Sequence, residues 1–260
     1  MIKTILAAFS FFTRLPAWRL TDIPAACYSR VVEFWPLTGW LTGGVTALVI
    51  WGLAHCLPIL PAVISGYVAR LLLTGALHED GLADFIDGMG GGRTRQRTLE
   101  IMKDSHIGSY GVIGLICYYL LLTTTVASLP LWIIPLVVVA ADPWGKFCGE
   151  LIVTTLPYAR KAEEAKNKTV YTRIKPGILL TGALIALLPT LLLLILPSCS
   201  LYSILLLPVP LAVSGLLILL MRRRIGGYTG DCCGAVFLLS ELAFILTASI
   251  LTFLNQQSIS

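Results

Sequence analysis

Four stretches of the chain, 34–69, 105–141, 176–221 and 242–260, contain no Asp, Glu, Lys or Arg. A helix needs roughly 20 apolar residues to cross a bilayer, so each gap is long enough for one or two crossings. Only 13% of the 260 residues are charged, against about a quarter in a soluble domain, and no polar helix faces remain for a soluble fold. The expected fold is all-α: a polytopic membrane helix bundle forming one integral-membrane catalytic domain, 1–260.

Pro, Gly and Ser punctuation divides the gaps into seven spans, 34–56, 59–77, 109–128, 131–153, 177–196, 202–220 and 234–254. Outside the spans the basic residues then fall in four places: Lys3 to Arg30, Arg93 to Lys103, Arg160 to Lys175, and Arg222 to Arg224. Seven spans put all four on one side, and the opposite loops "LPILP", "ASLPLW" and "LPSCSLY" hold no Lys or Arg. By the positive-inside rule that side is cytoplasmic and the C-terminal tail is outside. The net charge of +5 therefore reports topology and membrane lipid rather than nucleic acid. Ahead of the first span, Ile2, Leu6, Phe9 and Thr13 recur at helical spacing beside Ile5 and Phe12. With Arg14 and Pro16 interrupting the run and no A-x-A-like site after it, an uncleaved interfacial helix is expected. The seven cysteines are scattered, with no CxxC pair and no zinc spacing, and are expected to be reduced packing residues.

The charge that remains is concentrated. Glu79, Asp80, Asp84, Asp87, Glu100 and Asp104 are six of the 14 acids, in an active-site loop at about 78–107. On a helix, Asp80, Asp84 and Asp87 lie within roughly 60° of arc. Carboxylates that close need a cation among them, and an all-oxygen set suits Mg²⁺ or Mn²⁺, with phosphates completing the shell. "GGGRTRQR" follows, its glycine amides and Arg93, Arg95 and Arg97 suited to phosphate oxygens. Carboxylate–metal with Arg–phosphate is equipment for a diphosphate substrate. "GGYTGD" offers either a phosphate nest at a helix start, with Thr229 and Asp231, or an ordinary turn. Asp142, Lys146 and Glu150 share one face of the fourth span, as an ion-pair ladder or a cleft wall. Arg70 and Glu241 are further intramembrane charges. "LPYARKAEEAKNK" is a mixed-charge, mostly solvated loop in which Arg160 is placed to meet an anion.

These residues resemble the cobalamin synthase family, the adenosylcobinamide-GDP ribazoletransferases. The likeness covers most of the chain, in order: "FFTRLP", "YSR…FWPLTG", "TGALHEDGLADFIDG" fitting H-x-D-G-x-x-D-x-x-D-G, "RTLEIMKDSHIGSYG", "PYAR" and "GGYTGDCCGA". The chain departs from the family's pattern after Arg160, with "KAEEAK", and at Leu238. The resemblance implies that α-ribazole, or its 5′-phosphate, attacks adenosylcobinamide-GDP and GMP leaves. It implies Mg²⁺ on Asp80, Asp84, Asp87 and Asp104, with His78, Glu79 or a metal-bound carboxylate such as Asp84 as catalytic base. Arg93, Arg95, Arg160, Thr229 and Asp231 would contact phosphate and nucleotide. The setting is a bacterial cytoplasmic (inner) membrane, with a homo-oligomer left open. The rivals are a CDP-alcohol phosphotransferase, which "DGLADF" fits poorly, an Asp-rich prenyltransferase, and a transporter, for which no internal repeat is found.

Overall fold

The computed structural model describes residues 1–160, 170–195 and 201–259. Among the described residues the regular elements are all helices, with no strand and one isolated bridge between Tyr158 and Tyr228. In order they form α1 (Ile2–Phe12), α2 (Ala25–Tyr28), α3 (Trp35–Leu53), α4 (Ile59–Thr74), α5 (Leu77–Gly91), α6 (Arg95–Ile101), α7 (Ser109–Ala127), α8 (Ile134–Thr155), α9 (Pro176–Leu194), α10 (Pro208–Arg224) and α11 (Gly230–Ile259). Proline in the first turn starts α3, α8, α9 and α10, where its missing N–H costs no intrahelical bond.

The expected helix bundle is present, but the seven spans are not all recovered. Five of the described helices are long and apolar enough to cross a membrane, and six if α4 and α5 together count as one span. That pair is bent by 93°. The bend is local: Gly75 ends α4 at φ 68° and Ala76 follows at φ 58°. Glycine takes the left-handed conformation readily, whereas Ala76 adopts it against its own Cβ. The acidic segment is therefore not a loop but two helices, α5 and α6. The expected fourth span falls on the 22-residue α8, which is not among the five because it carries Asp142, Lys146 and Glu150.

Small residues let the helices close on one another. Gly39 and Gly43 of α3 lie against Pro143, Asp142 and Val138 of α8, with a Cβ at Gly39 only 2.7 Å from the Pro143 Cα. Along the outside of α9, Leu180, Leu184, Leu188 and Leu191 form an exposed stripe, the lipid-facing surface of such a bundle. The N-terminal helix packs on the bundle through its small residues. α1 buries Thr4, Ala7, Ala8 and Phe12 and leaves Ile2 exposed, because its close packing on the 31–35 turn favours small side chains. Among the described cysteines, Cys27, Cys56, Cys117, Cys148, Cys232 and Cys233 are free thiols.

Five charges inside the bundle form one connected network. Arg70 of α4 pairs with Glu241 of α11 and lies 3.8 Å from both Glu79 of α5 and Asp142 of α8. Lys146 pairs with Asp142 and donates to the Thr42 hydroxyl of α3 at 2.6 Å. From α7, Tyr118 donates to Glu241 at 3.2 Å and Tyr119 donates to Glu79 at 3.1 Å. The rings of Tyr67 and Phe237 cover Arg70 and Lys146. The ladder expected along α8 is thus half right: Asp142 and Lys146 pair, while Glu150, fully buried, turns to Gly182 of α9 and has no hydrogen-bond partner among the described residues.

Candidate active site

The four basic segments meet at one end of the bundle. The Arg14 N–H donates to the Leu73 carbonyl at 2.7 Å and the Thr172 N–H to Ser29 at 2.8 Å. Arg95 reaches the Ala159 carbonyl at 3.1 Å, and Arg160 the Leu99 carbonyl at 3.0 Å. Arg224 caps α5 by donating to the Met89 and Gly92 carbonyls.

At this end α5 crosses the start of α11 on a pair of glycines. A Cβ at Gly81 would stand 3.0 Å from the Asp231 carbonyl, and one at Gly234 3.0 Å from the His78 carbonyl. The crossing brings Asp80 and Asp231 to one cavity of about 110 Å³, together with Arg160, His78, Phe11, Phe12, Trp35, Tyr158 and Tyr171. Arg160 is carried there by the Tyr158–Tyr228 bridge, in which the Ala159 N–H donates to Tyr228 at 2.8 Å and the Tyr228 N–H to Pro157 at 2.9 Å. "GGYTGD" makes that bridge possible. Gly226 takes φ 68°, and a side chain at Gly227 would run into the Pro157 carbonyl. Thr229 is buried and donates to Asp231 Oδ2 at 3.2 Å.

Arg160 also lines a second, open groove of about 600 Å³ with Arg95, Gln96, Leu99, Glu100, Lys103 and Ala159. Arg160 is thus shared by an aromatic cavity with two carboxylates and by a basic groove, and guanidinium groups so placed suit phosphate oxygens.

The remaining site residues are distributed differently from expectation. At about 1.5 Å rise per residue, Asp80 and Asp87 lie about 10 Å apart along α5, too far to share an ion whose ligands lie about 2.1 Å away. Asp87 is buried and caps α7, its two oxygens accepting the Gly108 and Gly111 N–H groups at 2.7 and 2.8 Å. Asp104 is exposed and accepts the His106 N–H at 3.0 Å. This bond and the His106 ring hold its carboxyl below the usual range. Among the described residues no three His, Cys, Asp or Glu side chains converge as a ready set of metal ligands. Asp84 is buried. Glu79 turns inward to Arg70 and Tyr119, since neighbouring residues on a helix point about 100° apart. His78 does reach the cavity, but stacked on Trp35 at 5.6 Å and packed edge-on by Phe237 at 4.9 Å. Arg93 is exposed and outside both the cavity and the basic groove. Residues 161–169, with "KAEEAK", lie outside the described residues.

Trp35, Phe12, Tyr158 and Tyr171 are not among the site residues expected from the sequence. Aromatic residues in apolar segments look like core, and only the pairing of Tyr158 with "GGYTGD" across the fold marks them.

Because Asp87 satisfies two N–H groups at the start of α7, Asp87→Ala is expected to cost about 1–2 kcal/mol. Thermal unfolding in detergent checks this, and an unchanged midpoint would show that water replaces the cap without loss.

The profile of the cobalamin-5-phosphate synthase family matches residues 4–249. An adenosylcobinamide-GDP ribazoletransferase of Shewanella sp. (strain W3-18-1) is 33% identical over 250 residues, 94% of this chain and 93% of the relative. One from Shewanella oneidensis is 34% identical over 244 residues, 93% of this chain and 91% of the relative. No solved structure gives a significant match. With the family profile covering nearly the whole bundle, the cavity and both walls of the basic groove included, the chain belongs to the cobalamin-5-phosphate synthase family.

Proposed function

We infer that this protein is a membrane adenosylcobinamide-GDP ribazoletransferase, catalysing the nucleotide-loop assembly step of cobalamin synthesis. The observation that carries this is the meeting of Asp80, Asp231 and Arg160 at one cavity that shares Arg160 with a basic groove. A ribose hydroxyl of α-ribazole, or of its 5′-phosphate, forms a bond to the phosphorus nearer cobinamide. The P–O–P bond breaks, GMP leaves, and the hydroxyl proton passes to a carboxylate. Asp80, the more exposed of the two cavity acids, is the proton acceptor in this scheme. Arg160 and Arg95 hold phosphate oxygens and so favour the charge that develops on the leaving phosphate.

Asp80 and Asp231 offer hard oxygen donors at the cavity and fit a Mg²⁺ ion of the kind that keeps waters and takes one or two carboxylates plus substrate phosphates. Bound there, the ion would neutralise phosphoryl charge and orient the anhydride. The basic end faces the cytoplasm of a bacterial cell under the positive-inside rule, and the exposed leucine stripe faces lipid.

The test is GMP release by purified protein in liposomes supplied with adenosylcobinamide-GDP, α-ribazole and Mg²⁺. Release is expected to require α-ribazole, to stop with EDTA and to return on adding Mg²⁺. Release without α-ribazole would indicate hydrolysis instead, and release unaffected by EDTA would remove the metal from the scheme.

A further inference from the structure

We propose that the aromatic cavity is the seat of the α-ribazole base, with Trp35 and His78 recognising the nucleoside and the basic groove left to the guanosine diphosphate portion of the other substrate. The proposal rests on the function inferred above and divides its site between the two substrates.

Size is the first argument. A cavity of about 110 Å³ suits a flat bicyclic ring and is far too small for a corrin macrocycle. Stacking is the second. Phe12 and Trp35 lie nearly parallel at 5.0 Å and 12°, the His78 ring lies close to parallel with both at 5.6 Å from Trp35 and 6.1 Å from Phe12, and with Tyr158 and Tyr171 this cluster makes an aromatic lining against which a base can pack. Unmet hydrogen bonding is the third. Trp35 and His78 are 2% and 3% exposed and line the cavity, yet Trp35 Nε1 and His78 Nε2 have no hydrogen-bond partner among the described residues. Buried polar atoms are rarely left so. An indole N–H only donates. The benzimidazole nitrogen not joined to ribose only accepts, so the two match. His78 Nε2 can then meet a ribose hydroxyl, which places the sugar towards Asp80, two residues further along α5 and lining the same cavity.

Guanine is the other flat base in the reaction. Its edge carries several donors and acceptors, and those turned to the walls at Phe11, Phe12 and Val32 would be left unpaired. A benzimidazole has one acceptor and otherwise apolar edges, which is what those walls accept.

The test uses Trp35→Phe and His78→Phe, which keep an aromatic ring and remove the nitrogen. Each is measured for α-ribazole binding by calorimetry and for GMP release, with an unfolding midpoint as the folding control. A lost neutral hydrogen bond of about 1 kcal/mol corresponds to roughly five-fold weaker binding. The expected result is a Kd and KM for α-ribazole raised by about that factor, with KM for adenosylcobinamide-GDP unchanged. Wild type should also prefer α-ribazole over the analogue with an indole base, which lacks the accepting nitrogen, and Trp35→Phe should lose that preference. If KM rises for adenosylcobinamide-GDP instead, guanine occupies the cavity and the proposal is overturned. Folded variants with unchanged constants overturn it too, while wild-type turnover leaves the inferred function standing. Absence of GMP release by folded wild type removes that function, and the assignment of the cavity falls with it.

Discussion

Replacing Arg70 by Leu is expected to destabilise the bundle by about 3–5 kcal/mol, the cost of leaving a buried partner charge uncompensated. Arg70 pairs with Glu241 and stands 3.8 Å from Glu79 and Asp142. Its loss leaves Lys146 as the one cation facing three carboxylates in the described network. The same guanidinium joins α4 to α5, α8 and α11, so the damage extends beyond one pair. The double variant Arg70→Leu/Glu241→Leu should recover part of the loss, because it removes the unpaired carboxylate as well. Unfolding in detergent measures both. Equal losses in the single and double variants would mean that the ion pair is not what makes Arg70 matter. Since Glu79 sits between His78 and Asp80, the single variant should also lose activity at temperatures where it remains folded.

The second large effect is catalytic. Asp80→Asn is expected to lower kcat for GMP release by about 10²–10⁴-fold, the range for removing a general base, with Kd for α-ribazole little changed. Asn keeps the size of Asp and takes away its ability to accept a full proton. Asp104→Asn is the comparison, since Asp104 bonds to His106 on the exposed side of the α6–α7 connection. It should leave GMP release near the wild-type rate. An equal fall in both variants would mean that the reacting groups lie outside the cavity, on the face shared by Asp87, Glu100 and Asp104.

The charge-free gaps made the helical membrane architecture legible, because membrane crossing demands length and apolarity and little else. They did not reveal the break between α4 and α5. Gly75 is an ordinary helix stop, but Ala76 in a left-handed conformation is a tertiary outcome that no local preference announces. The three aspartates do share one face of α5, as their spacing requires. What each one meets is decided by other helices: the cavity for Asp80 and the first turn of α7 for Asp87. Periodicity gives a direction around one helix, not the distance to a neighbour. Glu150 shows the same limit, since its spacing from Lys146 matches that of Asp142 and it nonetheless faces α9.

The glycine crossing of α5 and α11 has a mechanical consequence. Gly81 rests on the Asp231 backbone and Gly234 on the His78 backbone, so main-chain contact, rather than a loop or a rotamer, sets the spacing of Asp80 and Asp231. These two helices act as the fixed jaw of a vice. Any widening to admit a nucleoside has to come from the opposite jaw, which is α1 with Phe11 and Phe12 and the short segment that carries Tyr158 and Arg160. Substrate entry and carboxylate alignment are thereby assigned to different walls, and the first can vary without disturbing the second.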